Sequence, residues 1–308
     1  MIESAPWWLA LLLPLIVILV AAGFAMVDAA WRATAAGTTP AGAALQPLRS
    51  TALLMVQQRR RIVGADTLLW RSSGIVLLLA GMSAAALVPL GDVVVLNNSV
   101  SLVWFNTVEV VAWAAVWLAG WGANSALSLV GGYRFVAQGL AYELPHMFAL
   151  TCAAIGAGSL SVTDIVAAQQ DRWFVVIMPI AFVVYLLSVP AMSFTAPFEA
   201  ATGRDISGGV LAELSGIDRL LLVAGRRVLF VAAAAMAVPL FLGGGAGPWL
   251  PSWLWVLIKT AAVLGVLMWL GHRWPTVRMS RYMEVAWVVL LPLTLLQALV
   301  VSIVVIRG

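Results

Sequence analysis

The chain has 308 residues, of which 63% are hydrophobic and only 10% are charged, and its mean hydropathy is +1.03. Soluble globular proteins carry about 25% charged residues, so this composition excludes a soluble domain and predicts an integral membrane protein. The net charge of +4 is explained by basic loops at a membrane surface and indicates no nucleic-acid partner.

Eight apolar segments are long enough to cross a bilayer, which takes about 20 residues in a helix. The first has no basic start region and no small-residue cleavage site, so we expect it to be retained rather than removed as a signal peptide. We predict an all-α integral membrane protein, a single bundle of eight transmembrane helices forming one membrane domain over residues 1–308. The predicted spans are Trp7–Val27, Ser73–Leu90, Leu102–Trp121, Val136–Leu160, Trp173–Phe194, Val228–Gly243, Trp253–Leu270 and Val285–Ile306.

Most of the 17 lysine and arginine residues fall in four alternate loops between the predicted spans. Loops rich in these residues stay on the cytoplasmic side of a membrane. We therefore predict that the loops at about 28–72, 122–135, 195–227 and 271–284 are cytoplasmic, and that both termini face outward.

The first of these loops contains the segment "LQPLRSTALLMVQQRRR". Leu45, Leu48, Leu53 and Val56 can share one side of a helix while Arg49 lies elsewhere, which is typical of a helix lying in the membrane interface. We predict such an amphipathic interfacial helix after the first span. The pattern fits a helix held only by lipid and a functional lid equally well.

The fourth span carries an acidic residue close to a proline. Glu143 lies about seven residues inside the span, roughly 10 Å below its cytoplasmic edge at about 1.5 Å per residue. An ionisable group at that depth is costly unless it is paired, protonated or hydrated. Pro145 has no amide proton, so the carbonyl of Ala141 is left free for water or a side chain. The pattern predicts a proton-exchanging carboxyl group, with a structural glutamate hydrogen-bonded to a neighbouring helix as the alternative.

A polar stripe runs along the same span. Arg134, Gln138 and Tyr142 are spaced by four residues and so lie on one side of a helix. Glu143 points about 100° away from Tyr142. We predict that the stripe lines a polar cavity open to the cytoplasm.

Two further charges lie inside predicted spans, Glu109 in the third and Lys259 in the seventh. Neither has an opposite charge within a helical turn, and their signs make Lys259 the natural partner of Glu109. A buried structural pair and a role on a proton path are equally compatible with this pattern. Glu284 stands close to Arg281 and is predicted to form a surface ion pair.

Several segments match motifs of one protein family. The stretch "LAGWGANSALSLVGGYRFVAQGLAYELP" is the most specific match, and it is supported by "LQPLRSTALLM", "PFE" with "AELSGID", "LIKT" and "RMSRYMEVAWVVLLP". By these motifs the chain resembles the H subunits of bacterial NADH-quinone oxidoreductase, respiratory complex I, over most of its length. The family's basic loop after the first helix and its carboxylate cluster after "PFE" are replaced here, which marks a divergent member.

The resemblance implies a function for the chain. It would form part of the quinone chamber of a complex I-type oxidoreductase and couple quinone reduction to proton translocation. The residues that would relay protons or charge are Glu143, Glu199 and Glu213. The residues that would lie at the quinone chamber are Arg134, Gln138, Tyr142 and Arg278.

The resemblance also implies the setting in which the chain works. Quinone would be the substrate, and the chain alone would bind no cofactor and have no activity. The partners would be other membrane-arm subunits, the soluble subunits that carry iron–sulfur clusters, and the lipid of the bacterial cell membrane. The single cysteine, Cys152, agrees with this, because iron–sulfur clusters and zinc take several ligands.

Three other classes of protein compete with this interpretation. The membrane anchor of an energy-converting hydrogenase or formate hydrogenlyase belongs to the same superfamily and uses no quinone. A secondary transporter would place its site at the midplane, between paired broken helices, whereas the polar residues here favour the cytoplasmic half. A purely structural anchor would leave Glu109, Glu143 and Lys259 without a role.

Overall fold

The computed structural model describes residues 2–307 and is almost entirely helical. In chain order its helices are α1 (Trp7–Ala35), α2 (Pro40–Ala44), α3 (Gln46–Val56), α4 (Thr67–Ala86), α5 (Ser101–Gly122), α6 (Ala126–Ala157), α7 (Val162–Ala167), α8 (Phe174–Ile177), α9 (Pro179–Met192), α10 (Gly216–Phe241), α11 (Ser252–Arg273), α12 (Met279–Val285) and α13 (Leu291–Arg307). A π-helical segment, Ala286–Leu290, joins α12 to α13. Three short 3-10 turns follow α9, at Ala200–Thr202, Arg204–Ile206 and Gly209–Leu211. The strands β1 (Glu3–Ser4) and β2 (Val93–Val94) form a short parallel pair.

Within the described residues, 6 helices are long and apolar enough to cross a membrane: α1, α4, α5, α10, α11 and the continuous helix Met279–Ile306. The chain is therefore an all-α membrane protein with six candidate transmembrane helices, where the sequence predicted eight. The fourth predicted span corresponds to α6, whose 32 residues include several polar side chains that lower its hydropathy. The fifth corresponds to α8 and α9, which are separated at Met178, so α9 has only 14 residues.

The loops meet in two groups at opposite ends of the bundle. At one end the Val277 amide donates to the carbonyl of Pro197 at 3.0 Å, and the Arg60 amide donates to the hydroxyl of Ser215 at 2.7 Å. At the other end the Leu102 amide donates to the carbonyl of Leu160 at 3.0 Å. The side chain of Asn124, in the loop 122–135, donates to the carbonyl of Val63 at 3.3 Å. The four loops that hold most of the arginines thus share one end, which we call the basic end.

Glycines allow the central helices to pack closely. Gly81 of α4 lies against the backbone of α10, where an added Cβ would stand 2.8 Å from the amide nitrogen of Leu229. Gly120 of α5 lies against Gly132 of α6, where an added Cβ would stand 2.9 Å from the Gly132 Cα. Small residues are the usual means of close helix approach in membranes. The second contact brings α5 and α6 close enough for their buried polar side chains to meet.

A helix is present where the sequence predicted an interfacial one. This helix, α3, has no buried residue, and Leu53 and Val56 are 67% and 81% exposed. The structure therefore has a helix in this segment, with most of its apolar side chains exposed, and its amphipathic character stays a prediction. Its position in the membrane interface stays a prediction.

Candidate functional site

A cavity of about 1020 Å³ lies at the basic end, between the start of α6, the 3-10 turns and the loop before α12. Its wall carries charged groups from all three of these regions and from α10. These are Arg134, Glu199, Arg204, Asp205, Arg219, Arg226 and Arg278. We call it the charged cavity. Arginines outnumber carboxylates on its wall, so it presents an excess of hydrogen-bond donors to a bound molecule.

Arg134 is held by a residue that sequence reasoning did not identify. Its guanidinium donates to both carboxylate oxygens of Asp205, at 2.6 and 3.0 Å. This bidentate geometry is the strong form of an arginine–carboxylate contact, and the hydrogen bonds from Arg134 lower the pKa of the Asp205 carboxyl group. The pair fixes the turn Arg204–Ile206 against α6. Asp205 stands in the segment "AATGRD", which departs from the family pattern, and this departure was its only signal in the sequence.

A second cavity, of about 570 Å³, lies between α1, α2, the start of α3, α10 and α11. We call it the lateral cleft. Glu199 and Arg226 line both cavities, and their side chains approach to 3.4 Å. Asp28 also lines the cleft, with its two oxygens 2.8 Å from His272 and 2.9 Å from Arg32. The Glu199–Arg226 pair therefore lies on the wall between the two cavities.

Gln138 and Tyr142 are buried beneath the charged cavity and do not belong to its wall. Gln138 is 0% exposed, and its amide donates to the carbonyls of Ala191 at 2.6 Å and Phe198 at 3.1 Å. Tyr142 receives a hydrogen bond of 2.7 Å from the indole nitrogen of Trp113. Of the polar stripe predicted from the sequence, only Arg134 lines the cavity. Gln138 instead joins α6 to the end of α9 and to the loop below the cavity.

One turn further along α6 is a group of buried ionisable side chains, which we call the buried cluster. Glu109 of α5 is 1% exposed, and its Oε1 lies 2.9 Å from Nε2 of His146, which is 0% exposed. Glu143, which is only partly buried, interacts electrostatically with both. Its Oε2 is buried without a hydrogen-bond partner in the described part of the chain. Sequence reasoning missed His146, although it directly follows Pro145, the last residue of the most specific motif.

The predicted pairing of Glu109 with Lys259 is wrong. The Lys259 ammonium group donates to the carbonyls of Leu242 at 2.7 Å, Gly244 at 2.9 Å and Ala246 at 2.7 Å. These carbonyls belong to the end of α10 and the loop after it, at the end of the bundle opposite the charged cavity. A helix C-terminus leaves carbonyls without partners and attracts positive charge. Three carbonyls accept hydrogen bonds from the Lys259 ammonium group, so a structural role accounts for this residue.

The remaining predicted residues lie at the surface of the basic end. Glu213 accepts from Arg60 at 2.6 Å and from the hydroxyl of Ser125 at 3.1 Å, so it ties three loops together. It is not among the residues that line either cavity. The predicted pair of Glu284 with Arg281 is confirmed, at 2.6 Å.

No group of three or more histidine, cysteine, aspartate or glutamate side chains within residues 2–307 is arranged to hold a metal ion. Cys152 is buried. The two cavities and the buried cluster contain arginines, carboxylates and two imidazoles, those of His146 and His272, which can bind polar groups and exchange protons.

The fold and site define a class of polytopic membrane protein with a charged cavity at one end and buried carboxylates beneath it. The family model described as NADH dehydrogenase matches residues 6–302. The chain is 33% identical over 267 residues to an NADH-quinone oxidoreductase H subunit of Geobacter metallireducens, covering 83% of this chain and 81% of the relative. It is 34% identical over 265 residues to an H subunit of Rhodopseudomonas palustris strain HaA2, covering 85% and 83%. It is 30% identical over 266 residues to the H subunit of Geobacillus kaustophilus, covering 84% of this chain and 80% of the relative.

The chain belongs to the family of NADH-quinone oxidoreductase H subunits. This confirms the family to which the sequence motifs pointed. It is a membrane subunit of the complex I type.

Proposed function

We propose that this chain forms part of the quinone chamber of a complex I-type oxidoreductase and couples quinone reduction to proton translocation across a bacterial cell membrane. Quinone is the substrate, and the electrons come from iron–sulfur clusters in soluble partner subunits. The other partners are membrane-arm subunits and the surrounding lipid. Family membership supports this assignment over a hydrogenase anchor or a secondary transporter.

The proposed topology has eight spans, with both termini outside and the basic end in the cytoplasm. The grouping of the loops supports it, because α6 and the α8–α9 segment each connect a loop of the basic end to a loop of the opposite end. Helix α6, at about 1.5 Å per residue, is longer than the roughly 30 Å of a bilayer core. The arginine content of the basic end supports the orientation.

The charged cavity is the proposed site of the quinone headgroup. Its arginines, with Arg134 and Arg278 among them, can donate hydrogen bonds to the two carbonyl oxygens of a quinone. The lateral cleft offers an approach from the lipid, since it lies beside the exposed helix α3 and shares Glu199 and Arg226 with the charged cavity. Gln138 and Tyr142 would support the chamber from beneath by fixing its floor.

The buried cluster is the proposed start of the proton path, and Glu143 is the observation that carries the proposal. An unpartnered carboxylate oxygen inside a membrane helix is costly, and such residues usually mark ion or proton pathways. Pro145 leaves the carbonyl of Ala141 without its helical donor, which gives water a place to bind. A charge change at the quinone can act on Glu143 through Arg134 and the polar floor of the cavity.

The test is Glu143→Gln in the whole complex reconstituted into proteoliposomes. Glutamine keeps the size and hydrogen-bonding capacity of the side chain but cannot exchange a proton. We expect normal assembly and loss of proton movement coupled to quinone reduction. Thr151→Val on the exposed side of α6 is the matched control and should behave like the parent. Normal assembly with the parental pumping ratio and rate in Glu143→Gln would make Glu143 structural.

A further inference from the structure

The pairing of His146 with Glu109 is an unusual feature of the membrane interior. The two residues face each other across the α5–α6 contact, with Nε2 and Oε1 2.9 Å apart and both side chains essentially inaccessible. Burying a carboxylate and an imidazole costs solvation free energy, which is offset only if their charges are opposite and their remaining polar atoms are hydrogen-bonded. Of the ionisable residues that make up the buried cluster, His146 alone can supply positive charge.

The hydrogen bonds around this pair are incomplete. Ten buried side-chain polar atoms in residues 2–307 make no hydrogen bond of regular geometry, and six of them belong to Asn106, Glu109, Glu143 and His146. Two of these six are Oε1 of Glu109 and Nε2 of His146, which face each other at 2.9 Å. The other four have no partner at all: Oδ1 of Asn106, Oε2 of Glu109, Oε2 of Glu143 and Nδ1 of His146. These four residues lie one helical turn apart on α5 and on α6. Buried polar atoms in native proteins are normally satisfied by protein or by ordered water. Such a concentration of unsatisfied atoms points to bound water or an exchanging proton at this place.

The groups around the imidazole limit where its proton can go. The ring of Tyr185 on α9 lies 5.1 Å from the His146 ring and that of Phe105 on α5 lies 6.3 Å away, measured between ring centroids. The Tyr185 hydroxyl is already committed, because it donates to the carbonyl of Ala233 at 2.8 Å. The titratable groups that act on His146 are therefore Glu109 from α5 and Glu143 from its own helix.

We propose that His146 is a proton-carrying residue of the coupling path and shares one exchangeable proton with Glu109. When the proton is on Nε2, the pair is imidazolium and carboxylate. When it moves to Oε1, the N–H bond breaks, the O–H bond forms, and the pair is neutral imidazole and carboxylic acid. The total charge of the pair is unchanged by this step, which keeps its cost in the membrane low. This inference rests on the proposed coupling function.

The experiment compares His146→Gln, Glu109→Gln and the double variant with the parent, in proteoliposomes that hold the whole complex. Protons moved and quinone reduced are measured between about pH 5 and 8, where histidine titrates. Reduction of artificial acceptors and subunit content report electron delivery and assembly. Thr151→Val is again the matched control on α6.

We expect His146→Gln to assemble and to reduce artificial acceptors normally, while coupled proton movement falls by roughly 100-fold, the lower end of general acid–base effects. The pH dependence of the remaining coupled rate should lose the limb that His146 contributes. The double variant should be no better than His146→Gln, because it restores charge balance but not proton exchange.

Three results would overturn the inference. One is parental coupling in His146→Gln. Another is recovery of coupling in the double variant, since His146 would then serve only to neutralise Glu109. The last is failure of His146→Gln, the smaller His146→Asn and the double variant to assemble, which would assign the pair to folding. Failure of the proposed function looks different, because the parent itself would then reduce quinone without moving protons.

Discussion

Arg134 donates two hydrogen bonds to Asp205, and these two bonds hold a short turn against the start of α6. Arg134 lies on α6, whereas Asp205 is 71 positions further along the chain, in the turn Arg204–Ile206. The contact therefore shapes one wall of the charged cavity. The positions of Arg134, Arg204 and Asp205 on this wall depend on the turn staying in place.

Asp205→Asn should release this turn at neutral pH. The amide cannot accept two charge-assisted hydrogen bonds, so the backbone amides of 204–208 should exchange with solvent faster. Hydrogen exchange followed by mass spectrometry measures this directly. Asp171→Asn, an exposed carboxylate at the opposite end of the bundle, is the matched control. Equal exchange in the two variants would mean that the pair does not anchor the turn.

The same pair has a predictable pH dependence. The folded pKa of Asp205 is lowered from its ordinary value of 3.8 by the hydrogen bonds from Arg134. A lowered pKa means that the stabilisation is complete above the unfolded pKa and is lost as the pH falls through the folded one. Exchange at 204–208, expressed relative to the intrinsic exchange rate at the same pH, should therefore be unchanged at neutral and mildly acidic pH and increase only below 3.8. In Asp205→Asn this pH-dependent increase should disappear.

Gln138→Leu should weaken the floor of the charged cavity. It removes the side-chain donor from the carbonyls of Ala191 and Phe198; the Ala191 carbonyl keeps the Phe194 amide as a partner, and the loss at Phe198 costs about 1–3 kcal/mol if that buried acceptor stays without a partner. We expect slower quinone reduction, while the electron-donating subunits still reduce artificial acceptors. Gln170→Leu, an exposed glutamine at the opposite end, is the control. Equal loss of both activities in Gln138→Leu would indicate misassembly rather than a defect at the chamber.

Lys259→Met should destabilise the chain without changing the coupling ratio. It removes a cation that donates to three carbonyls and lies 4.2 Å from the centre of the Trp173 ring. Hydrogen bonds to charged groups contribute about 1.5–3 kcal/mol each, so we expect a lower thermal unfolding temperature and reduced assembly. Arg172→Met, an exposed cation at the same end, is the control. A stable but uncoupled Lys259→Met complex would place Lys259 on the proton path.

The proposed topology predicts where single cysteines react. In a background where the buried Cys152 is replaced by serine, Asn97→Cys should be labelled from outside and Arg61→Cys from the cytoplasm by a membrane-impermeant thiol reagent. Both native side chains are exposed at opposite ends of the bundle, so neither change disturbs the core. Labelling of both positions from the same side would contradict the arrangement.

Local features of the sequence were enough to identify the class and the family of this protein. Its apolar segments identified a helical membrane protein, because a bilayer admits almost no other backbone. The "YELP" motif around Glu143 identified the family of H subunits. Ionisable residues inside a span are costly and therefore rare, so a motif that contains one is specific. The Arg281–Glu284 pair was also predictable, since residues three apart on a helix are neighbours. Each of these features depends on local composition or on spacing within one helix.

The partners of the buried charges could be established only from the folded chain. Lys259 has the sign to pair with Glu109, yet from α11 its ammonium group reaches the end of α10 and the loop after it, where three carbonyls accept its hydrogen bonds. His146 reaches Glu109 because glycines let α5 and α6 approach closely. Asp205 reaches Arg134 because the chain folds back after α9. Contacts between helices depend on packing and register across the whole bundle, and the charges of separate residues in one sequence carry no information about either.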